Sequence, residues 1–197
     1  IRVPRDNSPA SVASAIISRW GRRFLLVGVG FLLASQVAAL AGVPRRVEVV
    51  LGLNGFVLTV VFGKAYSLVP SYFDRTLVTP NSPAIHLPIH VAAVSLLAAA
   101  ELRASPAWIG SAGAVLWAVG TAVLVTAIAV TIASNPLGRE TGTSGASADR
   151  APLDRLANPF MPVAVVYLLV GTYERLAAGT ALPTLLDWSP VRVTDLL

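Results

Sequence analysis

Residues 24–41 read FLLVGVGFLLASQVAALA, eighteen positions without a charge, and this run decides the class of the fold. A helix rises about 1.5 Å per residue and a bilayer core is about 30 Å thick, so such a run, with a turn added at its ends, crosses a membrane. It follows Arg19, Arg22 and Arg23 and stops at Gly42-Val43-Pro44-Arg45-Arg46, where glycine and proline break the helix and two charges reach water. A secretory signal peptide also runs from basic to apolar. This stretch is longer than a signal core and lacks a small-x-small cleavage site before the next charges, so it is read as a retained span.

Composition carries the same reading through the chain. Of 197 residues 55% are hydrophobic and 13% charged, with mean hydropathy +0.71; soluble domains carry roughly 25% charged residues. Spans of ~20 residues leave room for five helices and short loops, and none for a sizeable water-soluble catalytic domain. There is no cysteine, which excludes disulfides, iron-sulfur clusters, thiolate metal sites and cysteine nucleophiles. No GxSxG, Walker, HExxH or paired-carboxylate pattern occurs, so hydrolase and NTPase readings fall away. Basic residues are distributed by membrane side rather than gathered with aromatics, which argues against nucleic acid as a partner. Arginine outnumbers lysine fourteen to one, the mark of a GC-rich genome.

Working outward, a second span covers about Val47 to Val69, interrupted only by Asn54 and Lys64, and ends at Pro70-Ser71-Tyr72-Phe73-Asp74-Arg75. Ser82-Pro83, Ser105-Pro106 and Asn158-Pro159 each place a capping side chain before a proline, the pattern of a helix start. They open spans at Pro83–Leu102, Pro106–Ala133 and Pro159 to about Ala178. The expected architecture is an all-α, polytopic integral membrane bundle of five transmembrane helices. Residues 1–23 form an N-terminal cytoplasmic segment and 24–179 the spanning domain, with a polar, solvated loop at 135–157 rich in Gly, Ser, Thr and Asp. The tail, 180–197, carries Leu182, Leu185, Leu186, Trp188 and Val191 among charges and is expected on the membrane surface or against a partner. Ten basic residues fall on the side of the N-terminus and five on the other. The positive-inside rule then places the N-terminus in the cytoplasm and the C-terminus outside, in a prokaryotic cytoplasmic membrane.

Charge inside a bilayer is costly, so polar residues within spans are the functional candidates. His86 and His90, the only histidines, lie four apart on the third span and share a face, with Pro88 between them kinking the helix. His86, nearer the helix start, is expected closer to water. The pair suits two cis ligands of copper or zinc, but a third must come from Asp74, Glu101 or Tyr66. As haem ligands they leave the same helical face and cannot clamp one iron from opposite sides. The plain alternative is interfacial or hydrogen-bonded histidines. Lys64 sits near the cytoplasmic boundary, either snorkelling to headgroups or paired with Tyr66, Tyr72, Asp74 or an anionic ligand. Glu48, Glu101, Arg103, Glu174 and Arg175 fall at span ends and call for no special role. Small residues crowd the spans, Gly110 with Ala114 and Ala118 with Ala122 among them, as close helix packing within or between chains requires.

The segments Gly52-Leu53-Asn54-Gly55-Phe56-Val57, Phe62-Gly63-Lys64-Ala65-Tyr66-Ser67-Leu68-Val69-Pro70, Arg75-Thr76-Leu77 and Ala84-Ile85-His86-Leu87 resemble spans two and three of the haem-copper oxidase and nitric oxide reductase catalytic subunits. Those subunits often carry a phenylalanine-glycine, tyrosine and valine-proline series there. The resemblance covers roughly forty of the 197 residues. That family's second span begins with a histidine for the low-spin haem; Leu51 to Asn54 has none, and the later copper-ligating helices are missing. The resemblance implies a shared in-out direction for spans one to three, and a fold relic or paralogue rather than an oxidase.

These readings converge on a non-catalytic subunit of a larger membrane assembly, respiratory in character, with a structural or ligand-positioning role. Its partners are lipids and other membrane subunits or copies of itself. Two alternatives stay open: an electron-transfer subunit holding haem or copper through His86 or His90, and a small transporter or channel lined by Asn54, Lys64, Tyr66, Ser67 and the histidines.

Overall fold

The computed structural model describes residues 9–72, 77–102, 105–133, 160–180 and 182–185. The described residues are helical, without a strand: α1 (Pro9–Leu40), α2 (Arg45–Val49), a π-helical segment (Val50–Val57), α3 (Leu58–Tyr72), α4 (Ser82–Ala100), α5 (Ala107–Ala133) and α6 (Phe160–Gly179). Four helical stretches are long and apolar enough to cross a membrane: Ala15–Leu40, Arg45–Ser71, Ser82–Ala100 and Ala107–Ala133. Large apolar side chains such as Leu26, Leu33, Val37 and Leu40 are exposed on the outer face of α1, as lipid contact demands.

Helix α1 starts well before the apolar run and ends where glycine was expected to end it. Gly42 adopts φ +67°, the left-handed conformation that only glycine enters without penalty. Its N–H donates to the Ala39 carbonyl at 3.2 Å and that of Val43 to the Ala38 carbonyl at 3.1 Å. This paired closure of the last carbonyls is a Schellman cap, and Val43 packs back toward Ala38 as that motif favours.

The second span is not one regular helix. Val50–Val57 winds as a π-helix between α2 and α3, and the Leu58 N–H reaches back to the Leu53 carbonyl. Nor does Pro70 end it: the helix continues to Tyr72 with Pro70 inside and buried. Having no N–H, Pro70 leaves the Tyr66 carbonyl without its intrahelical donor. Two expected starts also shift. Helix α4 begins at Ser82 itself, whose hydroxyl turns back to the Thr79 carbonyl at 2.8 Å, and Asn81 stands before it. Pro106 precedes α5 and accepts from the Ile109 N–H at 3.1 Å. Asn158-Pro159, the loop 135–157 and the tail beyond 185 lie outside the described residues.

Helices α1 and α3 pack antiparallel along a ladder of glycines. A Cβ on Gly63 would fall 2.4 Å from Phe24 Cβ, one on Gly55 2.7 Å from Phe31 Cγ, and one on Gly28 3.0 Å from Val60 Cγ2. Helix α4 lies against α5, and α6 runs antiparallel beside α5, with Thr172 at the level of Thr121 and Gly179 against Ser111 and Ala114. The loop after α3 is held to α5 by the Val78 N–H, which donates to the Thr131 hydroxyl at 3.2 Å. The core where α1, α3, α4 and α5 converge contains Phe24, Phe62, Tyr66, Val94, Trp117 and Leu124.

Candidate functional site

Two histidine side chains are driven into this core because they lie one turn apart on the face of α4 that meets α3 and α5. His86 is 0% and His90 2% exposed, so the expectation that His86 sits closer to water is corrected: α1 and α5 close over His86, and α3 and α5 over His90. Three helices contribute aromatic walls. Phe62 of α3 lies between the imidazoles, its centroid 5.3 Å from His86 and 5.2 Å from His90. Phe24 of α1 stands 5.7 Å from His86, and Trp117 of α5 5.3 Å from His90. The imidazoles are 5.7 Å apart in an edge-on arrangement.

Each histidine is fixed by a different part of the second span. Nε2 of His90 lies 2.9 Å from the Thr59 hydroxyl and 3.2 Å from the Asn54 carbonyl. A carbonyl only accepts, so the Nε2–H donates. The Thr59 proton goes to the Gly55 carbonyl, which leaves the hydroxyl oxygen free to accept from His90 as well. Both acceptors come from the π-helical segment and its first following turn, so the irregular winding is what presents the Asn54 carbonyl to α4. His86 uses Nδ1, 3.1 Å from the Tyr66 hydroxyl. Its Nε2 meets no donor or acceptor among the described residues. That nitrogen faces α5 at Gly120, where an added Cβ would stand 3.5 Å from it.

The network continues through a residue the sequence had set aside. Turned with its amide oxygen toward α6, the Asn54 carboxamide accepts both outer N–H groups of Arg175, at 2.9 Å and 3.0 Å. A guanidinium has donors only, so this orientation is the chemically consistent one. Arg175 also lies over the Trp117 ring, 5.0 Å from its centroid. The indole N–H of Trp117 donates to the Thr172 hydroxyl at 3.3 Å, and that hydroxyl to Thr121 at 3.3 Å. The sequence reading set Arg175 at a span end with no special role; the structure places its guanidinium on Asn54 and over Trp117, where α6 packs against α5. Thr59, Phe62 and Trp117 were missed as well. The available signal was a threonine and an asparagine five apart in an apolar run, facing the only histidines.

Of the expected site residues, Tyr66, His86, His90 and Asn54 are brought together. Lys64 is exposed at the rim of a separate cavity, and the side chain of Tyr72 and all of Asp74 lie outside the described residues. Glu101 is eleven positions beyond His90 on α4, about 16 Å along the axis, too far to share a metal with it. Its nearest ion pair is with Arg46 at 3.9 Å. Among the described residues no three metal-ligating side chains cluster. The surroundings do not favour a haem: His86 Nε2, which meets no hydrogen-bonding partner, is closed in by Phe24, Phe62 and Gly120, and the cavity nearby is lined by neither histidine. The arrangement can hold helices in register around a buried polar centre. No protein-family model, curated protein or solved structure matches the chain.

Proposed function

We propose that this chain is a non-catalytic integral membrane subunit whose histidine centre positions helices, within a larger prokaryotic membrane assembly. The observation that carries the reading is that His90 Nε2, the Thr59 hydroxyl, the Asn54 carbonyl and carboxamide and the Arg175 guanidinium form one chain of hydrogen bonds joining the second span, α4 and α6. A polar network fully paired inside a bilayer fixes register and rotation, because the alternative is an unpaired group in hydrocarbon. Helix α6 is taken as a fifth span: it is 20 residues long and follows α5 antiparallel, which supports the reading. The N-terminus is then cytoplasmic and the C-terminus outside.

The likeness of spans two and three to the haem-copper oxidase subunits fits as kinship of scaffold without its redox centre. Absorption spectra and metal content of the protein purified in mild detergent test this, together with the species that co-purify. The expected result is no Soret band, no stoichiometric copper, and co-purification of other membrane subunits or copies of this chain. A stoichiometric haem would replace the structural reading with electron transfer. Reporter fusions at Ser144 and at the C-terminus should lie on opposite sides of the membrane, and both on one side would remove the fifth span.

A further inference from the structure

The histidine centre leaves one polar feature unused. Between the early turns of α1 and the end of α3 lies a cavity of about 270 Å³, lined by Gly21, Arg22, Lys64, Tyr66 and Ser67. Arg22 and Lys64 approach it from antiparallel helices. Both are exposed, and the ion pair found among the described residues, Arg46–Glu101, is at the opposite end of the bundle. Two cations facing one recess repel unless an anion lies between them.

The α3 wall of the recess also carries acceptors. Pro70 frees the Tyr66 carbonyl of its helical donor. The Ser67 hydroxyl donates to the Lys64 carbonyl at 3.0 Å and the Ser71 hydroxyl to the Ser67 carbonyl at 2.7 Å, so both hydroxyl oxygens present lone pairs. The wall at position 21 is uncrowded, since even an added Cβ would approach nothing nearer than the Gly63 carbonyl at 3.8 Å. Leu25, which also lines the recess, is 45% exposed and begins the apolar outer face of α1. A ligand matching these walls carries a phosphate for the cations, hydroxyl donors for the acceptors, and an apolar tail leaving past Leu25.

We propose that this cavity binds the headgroup of an anionic, hydroxyl-bearing phospholipid, its phosphate between Arg22 and Lys64. The inference is independent of the role assigned to the histidines. The full chain, delipidated in a neutral detergent, is titrated separately with dioctanoyl phosphatidylglycerol, dioctanoyl phosphatidylcholine and inorganic phosphate, and binding is read from the thermal unfolding midpoint. Phosphatidylglycerol should raise the midpoint saturably and bind at least tenfold more tightly than phosphatidylcholine. Lys64→Gln and Arg22→Gln should each weaken it roughly three- to tenfold, the scale of one partly exposed charge-assisted contact. Lys64→Arg should retain binding, and Arg46→Gln, at the far end, should not alter it. Equal binding of the two lipids, or Lys64→Gln behaving as wild type, overturns the proposal. Inorganic phosphate matching phosphatidylglycerol overturns the lipid assignment in favour of a free anion. Should Arg22→Gln fail to fold, Lys64→Gln decides alone, because the Lys64 side chain is exposed.

Discussion

Replacing Gly63 by alanine adds one methyl group at the closest approach of α1 to α3. The new Cβ would lie 2.4 Å from Phe24 Cβ and 2.9 Å from its Cγ, where carbon atoms in contact prefer about 3.5–4.0 Å. Rotating Phe24 about χ1 moves the ring and leaves its Cβ in place, so the helices must separate by about 1 Å. Overpacking of this kind costs about 1–3 kcal/mol, and a contact fixed to backbone on both sides belongs at the upper end. At roughly 2–4 °C per kcal/mol for a chain of this size, Gly63→Ala should lower the unfolding midpoint in detergent by about 6–12 °C. The damage should reach the histidine centre, since Phe24 packs 5.7 Å from His86 and 6.0 Å from Tyr66. Two controls sharpen the test. Gly30→Ala, which meets nothing within 4 Å, should be neutral. In double-mutant cycles the Gly63→Ala penalty should persist on a Phe24→Ala background, where the Cβ remains, and shrink on a Phe24→Gly background, where it is gone. If Gly63→Ala is as stable as Gly30→Ala, the packing argument is refuted.

Two further predictions concern the polar centre. His90→Ala should be the more damaging histidine truncation, costing about 3–5 kcal/mol by opening a cavity and leaving the Asn54 carbonyl unpaired in the core. His86→Ala should cost at least about 1 kcal/mol less, because it also removes a buried nitrogen that has no partner; thermal unfolding of both variants measures the order. Arg175→Ala and Asn54→Ala should be coupled by about 1–2 kcal/mol in a double-mutant cycle, the scale for contacting residues in one network, while Arg46→Ala with Asn54→Ala should show none.

The class of fold was legible because its causes are local and strong. Eighteen uncharged residues at 24–41 and the Gly42-Val43-Pro44 stop leave little choice, and the structure closes α1 at Gly42 with the glycine conformation such a stop requires. The pairing of Tyr66 with His86 was half-visible, as two polar groups at one depth on spans joined by a short loop. The rest depended on tertiary contacts. Pro70 reads as a terminator, yet Ser71 and the burial of Pro70 carry the helix on. Arg175 reads as a terminal charge because nothing local shows that α6 turns it onto Asn54 and Trp117. The π winding at Val50–Val57 has no sequence signature beyond Gly52 and Gly55, and without it the Asn54 carbonyl has no reason to meet His90.

That winding makes the second span two helical halves out of phase. A π turn accommodates more residues than an α turn, so across Val50–Val57 the chain falls behind a straight α-helix by roughly one residue, about 100° of rotation. Phe62 and Tyr66 face α4 only with that offset in place. The alignment of the centre is therefore stored as a count of residues upstream of it: loss of one residue within 50–57 would swing every side chain of α3 toward a neighbouring face while leaving each of them unchanged. Insertions and deletions in this one segment, more than substitutions, are the changes through which the two halves of the molecule can come to disagree.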